Sequence, residues 1–107
     1  MKITITPAMR TALETAVGLF EDCWRGDEHE YAAVGMRCGI RGDELTLPDR
    51  ADVAELWVSF ILDELNGADN RAWAAEKGSD ERKFAFLDRA ALTRLWDALF
   101  DHQHALA

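Results

Sequence analysis

The sequence predicts an α+β fold, in which a small antiparallel sheet (a β-hairpin plus one or two further strands) is covered on one face by three main helices. Three observations predict it: a long N-terminal segment repeats apolar residues at helical spacing, a later segment alternates apolar and polar residues around a turn, and two segments share a strand-then-helix pattern. With 107 residues, 49% of them hydrophobic, the chain has the size of one domain, residues 1–107.

The first helix is predicted for the segment TPAMRTALETAVGLFEDCWRG, residues 6–26. Thr6 suits the N-cap and Pro7 the first helical position. Apolar residues recur every three or four positions and predict one core face: Met9, Ala12, Leu13, Ala16, Val17, Phe20, Cys23 and Trp24. Arg25 then falls in the last turn, and Gly26 can leave the helix in a left-handed conformation. The first of two Arg-Gly-Asp-Glu tetrapeptides is therefore predicted to be a helix stop.

The second tetrapeptide is predicted to lie in a β-hairpin with Gly42 and Asp43 as a two-residue loop. The predicted pairs are Arg41 with Glu44, Ile40 with Leu45, Gly39 with Thr46, and Cys38 with Leu47. This register separates an apolar face from a polar one, and a slip of one residue would destroy the separation. For the preceding segment, DEHEYAAV, the sequence allows a helical turn before the hairpin.

A repeated unit follows, because LTLPDRADVAELWV (45–58) aligns with FAFLDRAALTRLWD (84–97) without gaps. Each copy predicts a short strand, an aspartate N-cap (Asp49 or Asp88) and an amphipathic helix. Duplication and local convergence both explain the likeness, and ITIT before the Pro7 helix is a third, weaker copy. The last helix is expected to bury a set of large apolar residues: Leu92, Leu95, Trp96, Leu99 and Phe100.

The predicted helix of residues 50–66 is apolar over most of its circumference. It leaves only a narrow polar strip, made of Asp52, Glu55, Ser59, Asp63 and Asn66. Such a helix is either sandwiched within the domain or in contact with a second subunit. The next segment, ADNRAWAAEKG, predicts a short separate helix with Asp69 as cap and Gly78 as stop, and it carries Trp73.

Residues that could carry chemistry do not form a recognisable motif. The candidate metal ligands are Cys23, His29, Cys38, His102 and His104, and no pair of them has the spacing of a zinc site. Both cysteines fall on predicted apolar faces, and the last two histidines fall in a tail expected to fray. No serine or cysteine stands in a nucleophile motif, and no glycine-rich phosphate loop is present. We therefore expect no metal, no cofactor and no enzymatic activity.

The charge of the chain is strongly acidic and unevenly spread. Twenty acidic residues against twelve basic ones give a net charge of −8, and the segment Glu21–Asp69 holds thirteen of the acids with only four bases. Such a field repels nucleic acid and anionic membranes and speeds encounters with basic partners. The predicted binding surface is acidic: Asp43, Glu44, Asp52, Glu55 and Asp63. A surface charged only for solubility is the alternative.

The first ten residues, MKITITPAMR, lack the apolar region of a secretion signal, and no segment approaches the roughly 18 apolar residues of a membrane span. We therefore expect a cytoplasmic protein with reduced cysteines.

In size, acidity and lack of a catalytic motif the chain resembles the small phage-encoded inhibitors of host defence, including anti-CRISPR proteins.

This resemblance of profile implies an inhibitor in a bacterial or phage-infected host cell. Its partner would be a protein with a basic, nucleic-acid-binding surface, and the chain itself would bind neither nucleic acid nor membrane. The alternative is a self-associating structural or adaptor subunit of a bacterial or phage assembly, for which a homodimer is one arrangement.

Overall fold

The computed structural model describes residues 1–22 and 27–106, with the backbone alone for residues 19–22 and 27–29. The elements in chain order are β1 (Lys2–Thr4), α1 (Pro7–Asp22), α2 (Asp27–Gly39), β2 (Ile40–Arg41), β3 (Glu44–Thr46), α3 (Ala51–Ala74) and α4 (Asp80–Leu106). The three strands form an antiparallel sheet in the order β1-β3-β2. The described part of the chain is thus α+β and mostly helical, with four helices where the sequence predicted three.

One hydrophobic core joins the sheet to all four helices. Its largest fully buried side chains come from α1, α2, β3, α3 and α4: Leu13, Met36, Leu45, Trp57, Ile61, Leu95 and Leu99. The two long helices α3 and α4 run antiparallel and pack along their length. The small sheet and the two shorter helices therefore pack around a long helical hairpin.

Helix α1 begins as predicted. The Oγ1 atom of Thr6 accepts a hydrogen bond from the N–H of Met9 at 3.2 Å, which satisfies one of the free donors at the helix start. Four of the predicted core-face residues are buried: Met9, Leu13, Ala16 and Val17. The predicted helix stop at Arg25 and Gly26, and the predicted core positions of the Phe20, Cys23 and Trp24 side chains, lie outside the described residues.

The hairpin is shorter than predicted. The pairs Ile40 with Leu45 and Arg41 with Glu44 are confirmed, and Gly42 has a φ of 62°, a conformation that glycine adopts readily. The outer pairs, Gly39 with Thr46 and Cys38 with Leu47, are wrong because residues 36–39 form the last turn of α2.

Helix α2 shows why the outer pairs fail. Ala32, Ala33 and Met36 are buried at helical spacing, so this segment satisfies a helical period as well as the strand alternation read from the sequence. Cys38, predicted on an apolar face, is exposed.

Helix α3 is longer than predicted and begins later. Its N-cap is Arg50, without a side-chain capping hydrogen bond, so the predicted cap Asp49 is wrong. The helix continues to Ala74 and absorbs the short helix predicted to start at Asp69. Ala68 and Ala72 become fully buried in this continuous helix, and that packing outweighs the cost of about 1 kcal/mol for a glycine in a helix interior, here Gly67.

The connection between the long helices contains the predicted glycine stop. Gly78 has a φ of 85°, and Ser79 caps α4 by accepting a hydrogen bond from the N–H of Arg82 at 3.2 Å. The predicted strand at residues 84–86 and the predicted cap Asp88 are wrong, because α4 runs through both.

The buried residues of α4 keep helical spacing through the segment predicted to be a strand, and Ala85, Leu92, Leu95 and Leu99 all face the core. Two other residues predicted to be buried are not. Trp96 is half-buried and Phe100 is 37% exposed, because they lie to one side of the core-facing line.

Candidate functional site

The polar strip predicted on α3 is exposed. Its five members, Asp52, Glu55, Ser59, Asp63 and Asn66, are all accessible to solvent. Side chains three and four positions apart on a helix are neighbours, about 5–6 Å between Cβ atoms, so the three acids lie along one strip of a rigid helix. Within the described residues, neither Glu55 nor Asp63 forms an ion pair. We refer to Asp52, Glu55 and Asp63 as the acidic strip.

The two acids of the hairpin lie on a different element and beside cations. Glu44 of β3 faces Lys2 of β1, with 4.0 Å between Nζ and Oε2. Asp43 is exposed in the loop, where its carbonyl accepts the N–H of Ile5, and Arg10 donates to the neighbouring carbonyl of Gly42. The structure therefore brings three of the five predicted acids into line and leaves the other two in a mixed-charge environment.

Asp52 does have a cationic partner. Arg50 donates to its carboxylate, with 3.1 Å between Nε and Oδ1, and the N–H of Val53 adds a hydrogen bond of 3.0 Å. The hydrogen bond from Arg50 is the main reason that the pKa of Asp52 lies below its ordinary value, and the pKa of Arg50 is raised in turn. Both side chains are exposed to solvent, so the pair fixes geometry without contributing much to stability.

An exposed tyrosine completes this surface. The guanidinium of Arg50 lies over the ring of Tyr31, 5.2 Å from its centroid, and Tyr31 is 56% exposed. Two open depressions of about 550 and 500 Å³ meet at these two side chains. The first is mostly apolar and includes Val34 and Cys38, and the second is lined by Asp52 and Glu55. Tyrosine and arginine beside depressions of this kind are typical of protein-binding surfaces.

The position of Tyr31 depends on how α2 packs on α3. The indole N–H of the buried Trp57 donates to the carbonyl of Ala32, next to Tyr31, at 3.1 Å. Sequence reasoning missed the Tyr31–Arg50 contact because Tyr31 lies in α2 and Arg50 precedes α3, so that only tertiary packing brings them together. The available signal was that the chain's one tyrosine lies in the segment DEHEYAAV, for which the sequence allowed a helical turn before the hairpin.

The half-buried carboxyl of Glu64 lies next to the acidic strip. Burial is the main cause that raises the pKa of its half-buried carboxyl; Arg71 opposes this effect, and the charge of Asp63 adds to it. A carboxyl whose pKa is higher in the folded than in the unfolded state destabilises the fold while it is ionised. The penalty is present at neutral pH and disappears as the pH falls through the folded pKa of Glu64.

Replacing Glu64 with glutamine is therefore expected to stabilise the protein at pH 7. The gain should be small, about 0.5 kcal/mol or roughly 2–4 °C in Tm, because the group is only half-buried. It should vanish below about pH 4, near the ordinary pKa of glutamate, where both states are protonated. Thermal unfolding at a series of pH values measures it, with the exposed Glu55→Gln as matched control. An equal gain at all pH values would contradict the assignment to ionisation.

The far end of the α3–α4 hairpin carries a cation–aromatic cluster. Trp73, singled out by the sequence, is 62% exposed and packs edge-on against Phe86, with 5.4 Å between ring centroids. Arg82 lies over both rings, at 5.1 and 5.6 Å. Asp69 accepts from the Trp73 indole N–H and pairs with Arg89 at 3.2 Å. Tertiary packing assembles this cluster from two helices.

The histidines of α4 contact backbone carbonyls. His102, predicted in a fraying tail, is instead buried, and its Nε2 donates to the carbonyl of Pro48. His104 is exposed and its Nδ1 donates to the carbonyl of Phe100 at 3.0 Å. In the described ranges, no three His, Cys, Asp or Glu side chains lie close enough together to hold a metal ion.

None of the described helices has both the length and the apolar character needed to cross a bilayer. Comparison of the chain with protein-family models, with curated proteins and with solved structures finds no match.

Proposed function

We propose that this chain is a small acidic, non-enzymatic binding protein that masks a basic, nucleic-acid-binding surface of a partner protein. The observation that carries the proposal is the acidic strip: Asp52, Glu55 and Asp63 are exposed in line on one helix, and the last two have no cationic partner in the described part of the chain. Carboxylates held in this way can occupy cation sites that otherwise contact phosphates.

The Tyr31–Arg50 contact extends this surface toward an apolar depression. Charges at an interface chiefly steer the encounter, whereas buried aromatic and arginine side chains contribute most of the affinity. A partner that presents basic residues beside an apolar side chain would therefore match both parts of the surface. By profile this is the mode of action of phage-type anti-defence inhibitors, and the partner would belong to a nucleic-acid-binding complex of the bacterial host.

The test is charge reversal on the acidic strip. The double substitution E55K/D63K should slow association more than it speeds dissociation. Binding of the original protein should weaken steeply between about 50 and 500 mM salt, because exposed charges are screened beyond a Debye length of about 10 Å at 0.1 M. The original protein and the E55K/D63K variant are each immobilised, and the basic proteins that each one retains from a bacterial lysate are compared. Each retained partner is then purified, and we test whether nucleic acid competes with this chain for binding to it.

The matched control is D88K/D97K, which changes the net charge equally at two exposed acids of α4. Retention lost with E55K/D63K and kept with D88K/D97K would support the acidic strip. If both variants lost it equally, net charge alone would explain the interaction. A folded E55K/D63K protein that bound its partner unchanged would refute the proposal.

The second candidate function is self-association. The sequence suggested it because residues 50–66 are apolar over most of the helix, but Val53, Trp57 and Ile61 are buried within the domain. Leu62, at 39% exposure, is the most exposed large apolar side chain of this segment, and Leu56, Phe60 and Leu65 are partly buried. A surface for self-association must therefore include the outer flank of the helix rather than its broad apolar face.

A further inference from the structure

The mostly apolar depression beside Tyr31 is a groove between helix α2 and the chain segment that leads from β3 to α3. Residues of α2 at helical spacing form one wall, and that segment forms the other. Tyr31 lies at one end, where it contacts Arg50, and Gly39 lies at the other, close to the carbonyl of Thr46. Tyr31 and Cys38 are seven residues apart, so the groove is about 10 Å long at 1.5 Å per residue. We call it the α2 groove.

Both walls of the α2 groove are fixed to the core. The indole N–H of Trp57, at the floor, donates to the carbonyl of Ala32 and holds α2 in place. On the opposite wall, the carbonyl of Pro48 accepts a hydrogen bond from His102 of α4. A ligand that enters a groove with fixed walls loses less affinity to reorganisation. The volume of about 550 Å³ lies within the range of roughly 300–1,000 Å³ that is usual for ligand sites.

The middle of the α2 groove is apolar. Val34 is 53% exposed at the rim, and the buried Leu47 and Val53 lie deeper. Gly35 has no side chain to fill the space, and a Cβ atom there would lie 3.8 Å from the ring of Trp57. A large apolar side chain of a ligand would therefore remove its own surface and that of Val34 from water.

The Tyr31 end of the α2 groove is negatively charged. Arg50 is neutralised by Asp52, whereas Asp49 and Glu55 form no ion pair within the described residues. Asp49 lines the groove itself, and Glu55 lines the second depression, which joins the groove at Tyr31. This end therefore suits a cationic group.

The Gly39 end of the α2 groove is positively charged. Arg41 of β2 lines the groove, is exposed, and forms no ion pair in the part of the chain that the structure describes. Its cross-strand neighbour Glu44 faces Lys2 of β1 instead. Because a guanidinium binds a carboxylate through two parallel hydrogen bonds, this end suits an acidic group.

We propose that the α2 groove binds an extended segment of the partner protein that carries a basic, a large apolar and an acidic residue at alternate positions. Alternate side chains of an extended chain lie on one side, about 6.6 Å apart, so the outer two are about 13 Å apart. This span matches a groove of about 10 Å with a charged group just beyond each end. The basic residue then lies at Asp49 and Glu55, and the apolar one beside Val34. The acidic residue lies at Arg41.

This inference rests on the proposed function, because Glu55 belongs to the acidic strip as well. It adds the sequence pattern that the partner must present, and it gives Arg41 a role that the acidic strip does not explain. An apolar centre between charged ends is the usual anatomy of a protein-binding site.

NMR titration with the acetylated and amidated peptide Lys-Gly-Leu-Gly-Glu tests the proposal. The amide signals of Gly35, Cys38 and Thr46 should shift saturably, while the remote indole signal of Trp73 should not move. We expect a Kd on the order of 1 mM, because one buried leucine and two exposed ion pairs contribute modestly. The matched control peptide is Lys-Gly-Gly-Gly-Glu, which lacks the apolar side chain and should not bind.

Substitutions at the two charged ends test which group binds where. Arg41→Gln should weaken binding of the first peptide about 2–5-fold and should not affect Lys-Gly-Leu-Gly-Gln, which lacks the acid. Glu55→Gln should weaken the first peptide by a similar factor and leave Gln-Gly-Leu-Gly-Glu unaffected. The matched control is Arg94→Gln, at an exposed arginine of α4 that has no ion pair among the described residues, and it should change neither affinity.

Several results would overturn the proposal. One is the absence of a saturable shift up to about 10 mM peptide, tenfold above the expected Kd. Others are equal weakening by Arg41→Gln and Arg94→Gln, or binding of free leucine as tightly as the peptide, which would indicate a site for a small molecule. Shifts of the same amides with protein concentration alone would show that a second copy of the chain fills the groove.

The failure of this inference is distinguishable from failure of the proposed function. Loss of retained partners with E55K/D63K, without peptide binding, would keep the proposed function and reject the segment. Peptide binding as expected, with retention unchanged in E55K/D63K, would support the α2 groove and refute the masking of a basic surface through the acidic strip.

Discussion

Replacing Trp57 with alanine is expected to lower the free energy of unfolding by about 3–5 kcal/mol. Trp57 is 1% exposed and among the largest fully buried side chains, so alanine leaves a large cavity in the core. The substitution also removes the donor to the carbonyl of Ala32, which ties α2 to α3. A loss of this size is a large part of the roughly 5–15 kcal/mol that stabilises a typical domain. Urea unfolding followed by circular dichroism measures it.

Two control substitutions separate volume from hydrogen bonding. Trp57→Phe keeps most of the ring volume and loses the donor, so it should cost about 1–3 kcal/mol. Trp73→Ala, in the same helix but 62% exposed, should cost less than about 1 kcal/mol. If Trp57→Ala were no more destabilising than Trp73→Ala, the packing of α2 on α3 would not be as described, and the position of Tyr31 would lose its support.

Replacing Gly39 with alanine is expected to destabilise the protein by about 1–3 kcal/mol. A Cβ atom at this position would lie 2.8 Å from the carbonyl oxygen of Thr46. The obstacle is backbone, which cannot rotate away as a flexible side chain could, so the end of α2 and strand β3 would have to separate. The φ of Gly39 is not in the left-handed region, so the cost is steric. Thermal and urea unfolding measure the change.

The control for this prediction is Gly18→Ala in α1. No atom outside the local helix lies within 4 Å of a Cβ at that position, so alanine should stabilise the helix by about 0.5–1 kcal/mol. Opposite signs at the two glycines would establish that contact with β3, not glycine content, decides the result. A Gly39→Ala protein as stable as the original would show that the helix end and the strand are further apart.

Local chemistry made several elements predictable from sequence. The cap at Thr6 and the turn glycines Gly42 and Gly78 were predicted because each depends on a side chain, or the lack of one, within a few residues. The exposed acidic strip was predicted for a related reason: a continuous helical period separates polar from apolar positions without knowledge of the neighbours.

The wrong strand assignments arose where a short segment fits both the two-residue period of a strand and the 3.6-residue period of a helix. Residues 36–39 and 84–86 alternate as strands do, but both lie in helices whose buried alanines continue the helical spacing, Ala33 in the first and Ala85 in the second. Over three or four residues the two periods cannot be distinguished, and the longer helix is selected by packing. The Tyr31–Arg50 contact and the cation–aromatic cluster were not predictable, because tertiary packing alone brings their members together.

The sheet topology has a consequence for the order of folding. Strand β1 pairs with β3 across more than forty residues, from Lys2 to Thr46, whereas only residues 75–79 separate α3 from α4. Loop closure costs more entropy as the loop grows, and non-local pairing slows folding. The helical hairpin can therefore form early, and the N-terminal strand joins late. Hydrogen exchange at the amides of Ile5 and Leu47, which bond to Asp43 and Met1, follows that last step directly.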